Sequence, residues 1–135
     1  MDCLFCKIIN REIPANFVYE NDKVVAFLDI APVNPGHTLV VPKEHCENIL
    51  DASDETLAEL ILAVRKIGQA IQEGLGYQGF NLGVNNGRVA GQIVPHLHFH
   101  IMPRRVGDGL RLWPQRKYEV GEAEVVAEKI QKAIK

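Results

Sequence analysis

The chain has 135 residues and a mass of 15.1 kDa, close to the roughly 150 residues of an average domain, so a single domain over residues 1–135 is expected. A hydrophobic fraction of 47% with 24% charge excludes disorder, collagen and long coiled coil. The net charge of −2 excludes the basic footprint of a protein that binds long nucleic acid, and no apolar run approaches the roughly 18 residues of a membrane span.

The first residues, Met1 to Lys7, carry neither the positive start nor the apolar run of a secretory signal, so a cytoplasmic location is expected. Leu4, Phe5, Ile8 and Ile9 have helical spacing, and Asn10 and Pro14 end that short helix. Phe17–Glu20 and Lys23–Leu28 flank the polar break Asn21-Asp22, which reads as a hairpin. Pro32, Pro35 and Gly36 force a loop before a strand at Thr38–Val41, closed by Pro42. A long helix is predicted from Ser53 to Glu73. Ser53 is its N-cap, and Leu57, Leu60, Ile61, Val64, Ile67 and Ile71 form an apolar stripe that Gly74 and Gly76 end. Strands are predicted at Phe80–Val84 and His96–Met102, around a Gly-rich turn at Asn86–Gln92. A last helix, Glu122–Ile134, carries Val125, Val126, Ile130 and Ile134 on one face, suited to cover a sheet or a dimer surface. Strands arrive in runs with few helices between them. The predicted class is therefore α+β, an antiparallel sheet packed with one long helix and short terminal ones.

In His96-Leu97-His98-Phe99-His100, three imidazoles alternate with apolar residues, so a strand would project all three from one face. A lone histidine is usually a surface or satisfied core residue. Three in a row at period two repel one another once protonated and serve no core, which points to function. Two chemistries suit such a face: a metal held by neutral imidazoles, or one imidazole acting as a nucleophile on phosphorus while its neighbours orient it. The preceding segment, Asn85 to Gln92, is either a plain hairpin turn or a cradle whose backbone N–H groups receive an anion.

The string from Gly91 to Arg104 resembles the signature of the histidine triad (HIT) family. Cys3-Leu4-Phe5-Cys6-Lys7-Ile8-Ile9, Ala26–Pro32 and Gly36–His45 extend the resemblance over nearly the whole chain. It looks most similar to the Hint branch, hydrolases of purine nucleoside 5′-phosphoramidates, with dinucleoside polyphosphate hydrolases next and a non-catalytic nucleotide-binding scaffold as a third reading. The resemblance implies that His98 attacks the α-phosphorus, forming a nucleotidyl-imidazole that water resolves to an AMP- or GMP-like product. It implies that His100 and His37 contact the phosphate or fix the tautomer of His98, and it places His96 in the same catalytic row. It assigns Asp29 to the ribose hydroxyls, with Asn85, Gly91, Gln92 and Ile93 beside the phosphate. Ile93 departs from the Ser or Thr common in Hint proteins, so only its backbone N–H can serve there. The resemblance also implies a homodimer with sheets joined edge to edge, which would protect an exposed strand.

Cys3 and Cys6 form a Cys-x-x-Cys pair, read as metal-binding, as simply reduced and buried, or as redox-active. Two thiolates and two imidazoles complete a tetrahedral zinc site, and the resemblance points to His45 and His96 as the imidazoles. Such a structural zinc would be closed and non-catalytic. Cys46 reads as an inert buried thiol. Trp113-Pro114 resembles an aromatic–proline pair that approaches the partner subunit's nucleotide site in Hint proteins, although Arg105–Leu112 is inserted before it.

Overall fold

The computed structural model describes residues 2–135. Its elements are α1 (Leu4–Ile9), β1 (Phe17–Glu20), β2 (Val24–Leu28), β3 (Thr38–Pro42), α2 (Asp54–Leu75), β4 (Gly79–Gly83), a single 3₁₀ turn (Arg88–Ala90), β5 (Phe99–Arg104) and α3 (Glu122–Ala133). All five strands pair antiparallel in the order β1-β2-β3-β5-β4. The class is α+β, as the order of elements predicts. Among the described residues no helix is long and apolar enough to cross a membrane.

The centre of the sheet is buried on both faces, and its sequence shows why. β2 and β3 are continuous apolar runs rather than alternating ones, the pattern of strands with cover on either side. One face receives α2: Val24, Ala26, Val40, Phe99 and Ile101 pack with Leu60, Val64, Ile67 and Ile71. Burying those four α2 side chains contributes roughly 6–12 kcal/mol before the cost of ordering the chain. The other face receives α1, where Phe5 and Ile8 meet Val25, Phe27, Leu39 and Val41. α2 also presses Gly68 against Phe80 of β4, so closely that a Cβ at Gly68 would lie 2.6 Å from the ring.

Three elements differ from expectation. α2 runs to Leu75, with Gly74 inside it, because the helix ends where φ turns positive: Gly76 sits at φ +76° and its N–H closes the last turn on Gln72. β5 begins at Phe99 rather than His96. Pro95 has no N–H to donate, and the Leu97 N–H bonds the Cys46 carbonyl outside the sheet ladder. α3 forms, but none of its residues is buried, and on its apolar face Val125, Ile130 and Ile134 are exposed and Val126 only half-buried.

Candidate functional site

The alternation from His96 to His100 survives although only its end is strand. Leu97, Phe99 and Ile101 enter the core beneath α2, while His98 turns to the α1 face, its ring 4.9 Å from that of Phe5. The hydrogen bonds of each imidazole assign its protons. His98 Nδ1 lies 2.7 Å from the His96 carbonyl, which can only accept, so Nδ1 carries the hydrogen and Nε2 keeps its lone pair. His37 Nδ1 accepts from the Val33 N–H at 3.1 Å. Its proton therefore sits on Nε2 and is donated to His100 Nδ1 at 2.9 Å, which leaves the His100 proton on Nε2. Neither His37 nor His100 sets the tautomer of His98. A backbone carbonyl does.

All three rings are held neutral near pH 7. Burial lowers the pKa of His98, with the His96 carbonyl and Asp29 opposing it. His37 is likewise lowered by burial, again against Asp29. His100 is pushed down to about 4, by burial first and then by its neighbours His98 and His37. Asp29, just after β2, spends one carboxylate oxygen on the Ala31 N–H at 2.9 Å. Its other oxygen stands 3.6 Å from His37 Nε2, beyond a good hydrogen bond.

The glycine turn is a rigid structure. Gly87 and Gly91 adopt φ +93° and +96°, which side-chain-bearing residues avoid. The Gln92 side chain is consumed in holding it: Oε1 accepts from the Gly87 N–H at 2.9 Å, and Nε2 donates to the Glu47 and Val94 carbonyls. Gln92 therefore braces the turn. Ile93 is 91% exposed, and among the described residues its N–H has no acceptor within the protein. The Asn85 amide lies against Gly91 and lines a cavity of about 650 Å³ together with His37, His100 and Gly83. The outer wall of that cavity is the segment Leu110–Gln115, anchored by the ion pair of Arg104 with Asp108 at 2.8 Å.

Cys3, Cys6, His45 and His96 bring one donor atom each to within 4.8 Å of one another. His96 is fully buried. It gives its Nε2–H to the Pro42 carbonyl at 2.9 Å, so Nδ1 is the lone-pair nitrogen, and it faces the Cys3 sulfur at 3.4 Å and the Cys6 sulfur at 3.6 Å. His45 Nδ1 lies 3.5 Å from the Cys6 sulfur and 3.1 Å from His96 Nδ1. A tetrahedral zinc with bonds of about 2.3 Å to sulfur and about 2.0–2.1 Å to nitrogen separates S and N ligands by roughly 3.5 Å. The donor set fits that ion. Burial first, then the adjacent Cys3 thiol, pushes the Cys6 thiol up to about 11, so a thiolate there calls for a cation.

Asp29, His37 and His100 form a second group with metal-ligand spacing, but the protons argue against an ion there. His37 Nδ1 is already an acceptor, so its Nε2 is occupied by hydrogen. His96, His98 and His100 do not converge on a shared ion either. His96 faces the thiols with both ring nitrogens engaged, so its carbonyl and not its ring is what meets His98.

Residues 10–107 match the HIT domain family. An adenosine 5′-monophosphoramidase from Schizosaccharomyces pombe is 41% identical over 138 residues, spanning 100% of both chains. The chain belongs to the HIT family. An adenylylsulfatase from Arabidopsis thaliana is 41% identical over 109 residues, which cover 81% of this chain and 55% of that protein. The crystal structure of a HIT protein from Bacillus subtilis superposes with a TM-score of 0.91 at 40% identity, over 100% of this chain and 99% of that one. A zinc-bound histidine triad protein from Mycobacterium smegmatis gives 0.79 at 35% identity, over 99% of each.

The HIT fold thus gathers His37, His98, His100, Asp29 and Asn85 on one side, and Cys3, Cys6, His45 and His96 into a separate cluster of donor atoms that could hold a metal. Motif reading missed the Pro42 carbonyl and the Val33 N–H, since backbone groups leave no residue-type signal. It also missed Phe5 as the ring beside His98, whose only trace was its place in the short N-terminal helix.

Proposed function

We propose that this HIT protein hydrolyses purine nucleoside 5′-phosphoramidates or related nucleotidyl substrates to the nucleoside monophosphate, through a covalent bond to His98. The observation that carries this reading is the 2.7 Å hydrogen bond from His98 Nδ1 to the His96 carbonyl, which leaves a neutral Nε2 lone pair. His98 Nε2 donates that pair to the α-phosphorus while the bond to the leaving group breaks and its electrons depart with that group. An amine leaves with an added proton from solvent. The ring becomes cationic, and the His96 carbonyl stabilises the charge at the opposite nitrogen. Water then attacks phosphorus, the N–P bond breaks, His98 recovers its lone pair and the surplus proton passes to solvent.

In this reading His100 offers its Nε2–H to a phosphate oxygen, and His37 is a positioning residue that fixes the His100 tautomer. The free Asp29 oxygen accepts from the ribose hydroxyls. The Asn85 amide and the unpaired Ile93 N–H serve the phosphate, and Gly91 admits it by lacking a side chain. A structural zinc would be held by Cys3, Cys6, His45 and His96, tying α1 to the residues before β5. The thiol pair it needs suits a reducing cytoplasm. A homodimer is part of the same proposal: β4 is an edge strand, and beside it a groove between α2 and β4 exposes Ile61, Leu62 and Leu82.

The test compares native chain and His98→Ala on adenosine 5′-phosphoramidate, with AMP binding measured in parallel. Turnover is expected to vanish while AMP still binds. Undiminished turnover by the variant would falsify the assignment, and faster cleavage of a diadenosine polyphosphate by the native chain would move it to the other branch.

A further inference from the structure

Asn34, in the loop between β2 and β3, is a buried amide to which the proposed reaction gives no task. Its side-chain nitrogen lies 2.8 Å from the Pro103 carbonyl and 3.2 Å from Asp108 Oδ2. Both partners only accept, so both amide hydrogens are spent there. Asp108 is in turn paired with Arg104, whose Nε and Nη2 bond its two oxygens at 2.8 and 3.1 Å. The pairing of β3 with β5 runs no further than Thr38 opposite Ile101. At Pro103 that ladder has ended, and the Asn34 amide supplies the donor that a longer β3 would have provided.

The same residue opens the turn that presents His37. In Asn34-Pro35-Gly36-His37 the His37 N–H bonds the Asn34 carbonyl at 3.1 Å, and Gly36 stands at φ +100°. Pro second and a positive-φ Gly third are the residues of a type II turn. Immediately before it, the Val33 N–H donates to His37 Nδ1 at 3.1 Å. The ring and the main chain of His37 therefore both hang from residues 33 and 34, and those residues are tied to β5 by the Asn34 side chain.

We infer that Asn34 is a positioning residue for the reaction: by tying this segment to Pro103 and Asp108 it holds the Val33 N–H against His37 Nδ1, which keeps the hydrogens of His37 and His100 on Nε2. The inference rests on the nucleotidyl-hydrolase reading above, in which His100 offers its Nε2–H to a phosphate oxygen. Without the tie, the Val33 N–H is free to turn to water. In part of the molecules His37 then carries its hydrogen on Nδ1, and its Nε2 becomes an acceptor. His100 answers by placing its own hydrogen on Nδ1, the nitrogen 2.9 Å away. Both rings stay neutral, but His100 now turns a lone pair to the phosphate in place of a donor. His98 is unaffected, because its tautomer is set by the His96 carbonyl.

The experiment records the ring-nitrogen NMR signals of the histidines, and kcat and KM on adenosine 5′-phosphoramidate, for native chain, Asn34→Leu and Asn34→Ala. Leucine is close to asparagine in size and donates nothing, so it separates the hydrogen bonds from the space they fill. The native chain should show a single Nε2–H form at His37 and His100. In Asn34→Leu both rings should move to a mixture of tautomers with His98 unaltered, and kcat should fall about tenfold with little change in KM. Native ring signals at His37 and His100 in that variant overturn the inference whatever its melting temperature, and so does an equal disturbance of His98. Altered rings with native kcat refute the part in catalysis alone. Should neither variant fold, amide exchange in the native chain decides: Val33 is 40% exposed in a loop, yet its N–H should exchange as slowly as those of β5, and fast exchange overturns the tie. If the native chain does not cleave the phosphoramidate, the reading of the reaction falls and the catalytic role of Asn34 with it, while the ring signals still judge the tie itself.

Discussion

Holding His100 neutral has a cost that acid should reveal. Its pKa stands at about 4 in the folded protein, against about 6.5 for an unperturbed imidazole. As pH falls through 6.5 the unfolded chain takes up a proton that the folded chain refuses, so folded stability decreases. The loss accumulates down to about pH 4, where the folded ring also protonates, and then stops. At about 1.4 kcal/mol for each tenfold difference in proton affinity, the full gap is worth up to about 3 kcal/mol. The ring is partly open to solvent, so about 2 kcal/mol is the working figure after screening. Urea unfolding of the native chain and His100→Asn at pH 7.5, 5.5 and 4.0 measures it. Both proteins carry the same Cys/His cluster, so acid effects on it cancel in the difference. The native protein should lose about 2 kcal/mol more than the variant between pH 7.5 and 4.0. Parallel losses would show that His100 is not held neutral by its site.

Other outcomes follow from the same geometry. Chelation, or Cys6→Ser, should lower the melting temperature of metal-loaded protein, since a structural zinc site contributes on the order of 10 kcal/mol to small folds and loses much of that with one ligand; elemental analysis showing no bound metal in the purified native protein would contradict the fit. Gly68→Ala should cost about 1–3 kcal/mol in denaturant unfolding, because its new methyl would sit 2.6 Å from Phe80 Cζ; an unchanged midpoint would mean the ring yields freely. Leu82→Glu, on the exposed edge strand, should halve the mass seen by light scattering. A native protein already at monomer mass would remove the dimer proposal.

Much of the fold was legible because its signals are local. Ser53 caps α2 through its hydroxyl, and the three- and four-residue spacing of Leu60, Val64, Ile67 and Ile71 names the face that is buried. The hairpin at Asn21 was equally plain, since the Asn21 side chain accepts from the Lys23 and Val24 N–H groups two and three residues on. The start of β5 was not legible: whether the Leu97 N–H joins a ladder depends on the Cys46 carbonyl, 51 residues away. The same holds for α3. Its apolar face reads as a packing surface, and no pattern within the helix says that its own sheet does not receive it.

Residue type and spacing alone established the inventory of this protein: the alternating imidazoles, the paired thiols, the glycine turn and a chain able to surround them with an α+β core. Folding in three dimensions assigned the work among them. Which histidine nitrogen holds a proton is settled by whichever acceptor or donor lies against its partner nitrogen. Here those groups are the carbonyls of Pro42 and His96 and the N–H of Val33. That is why His96 turns to the thiols, His37 to His100, and His98 alone keeps an unengaged lone pair.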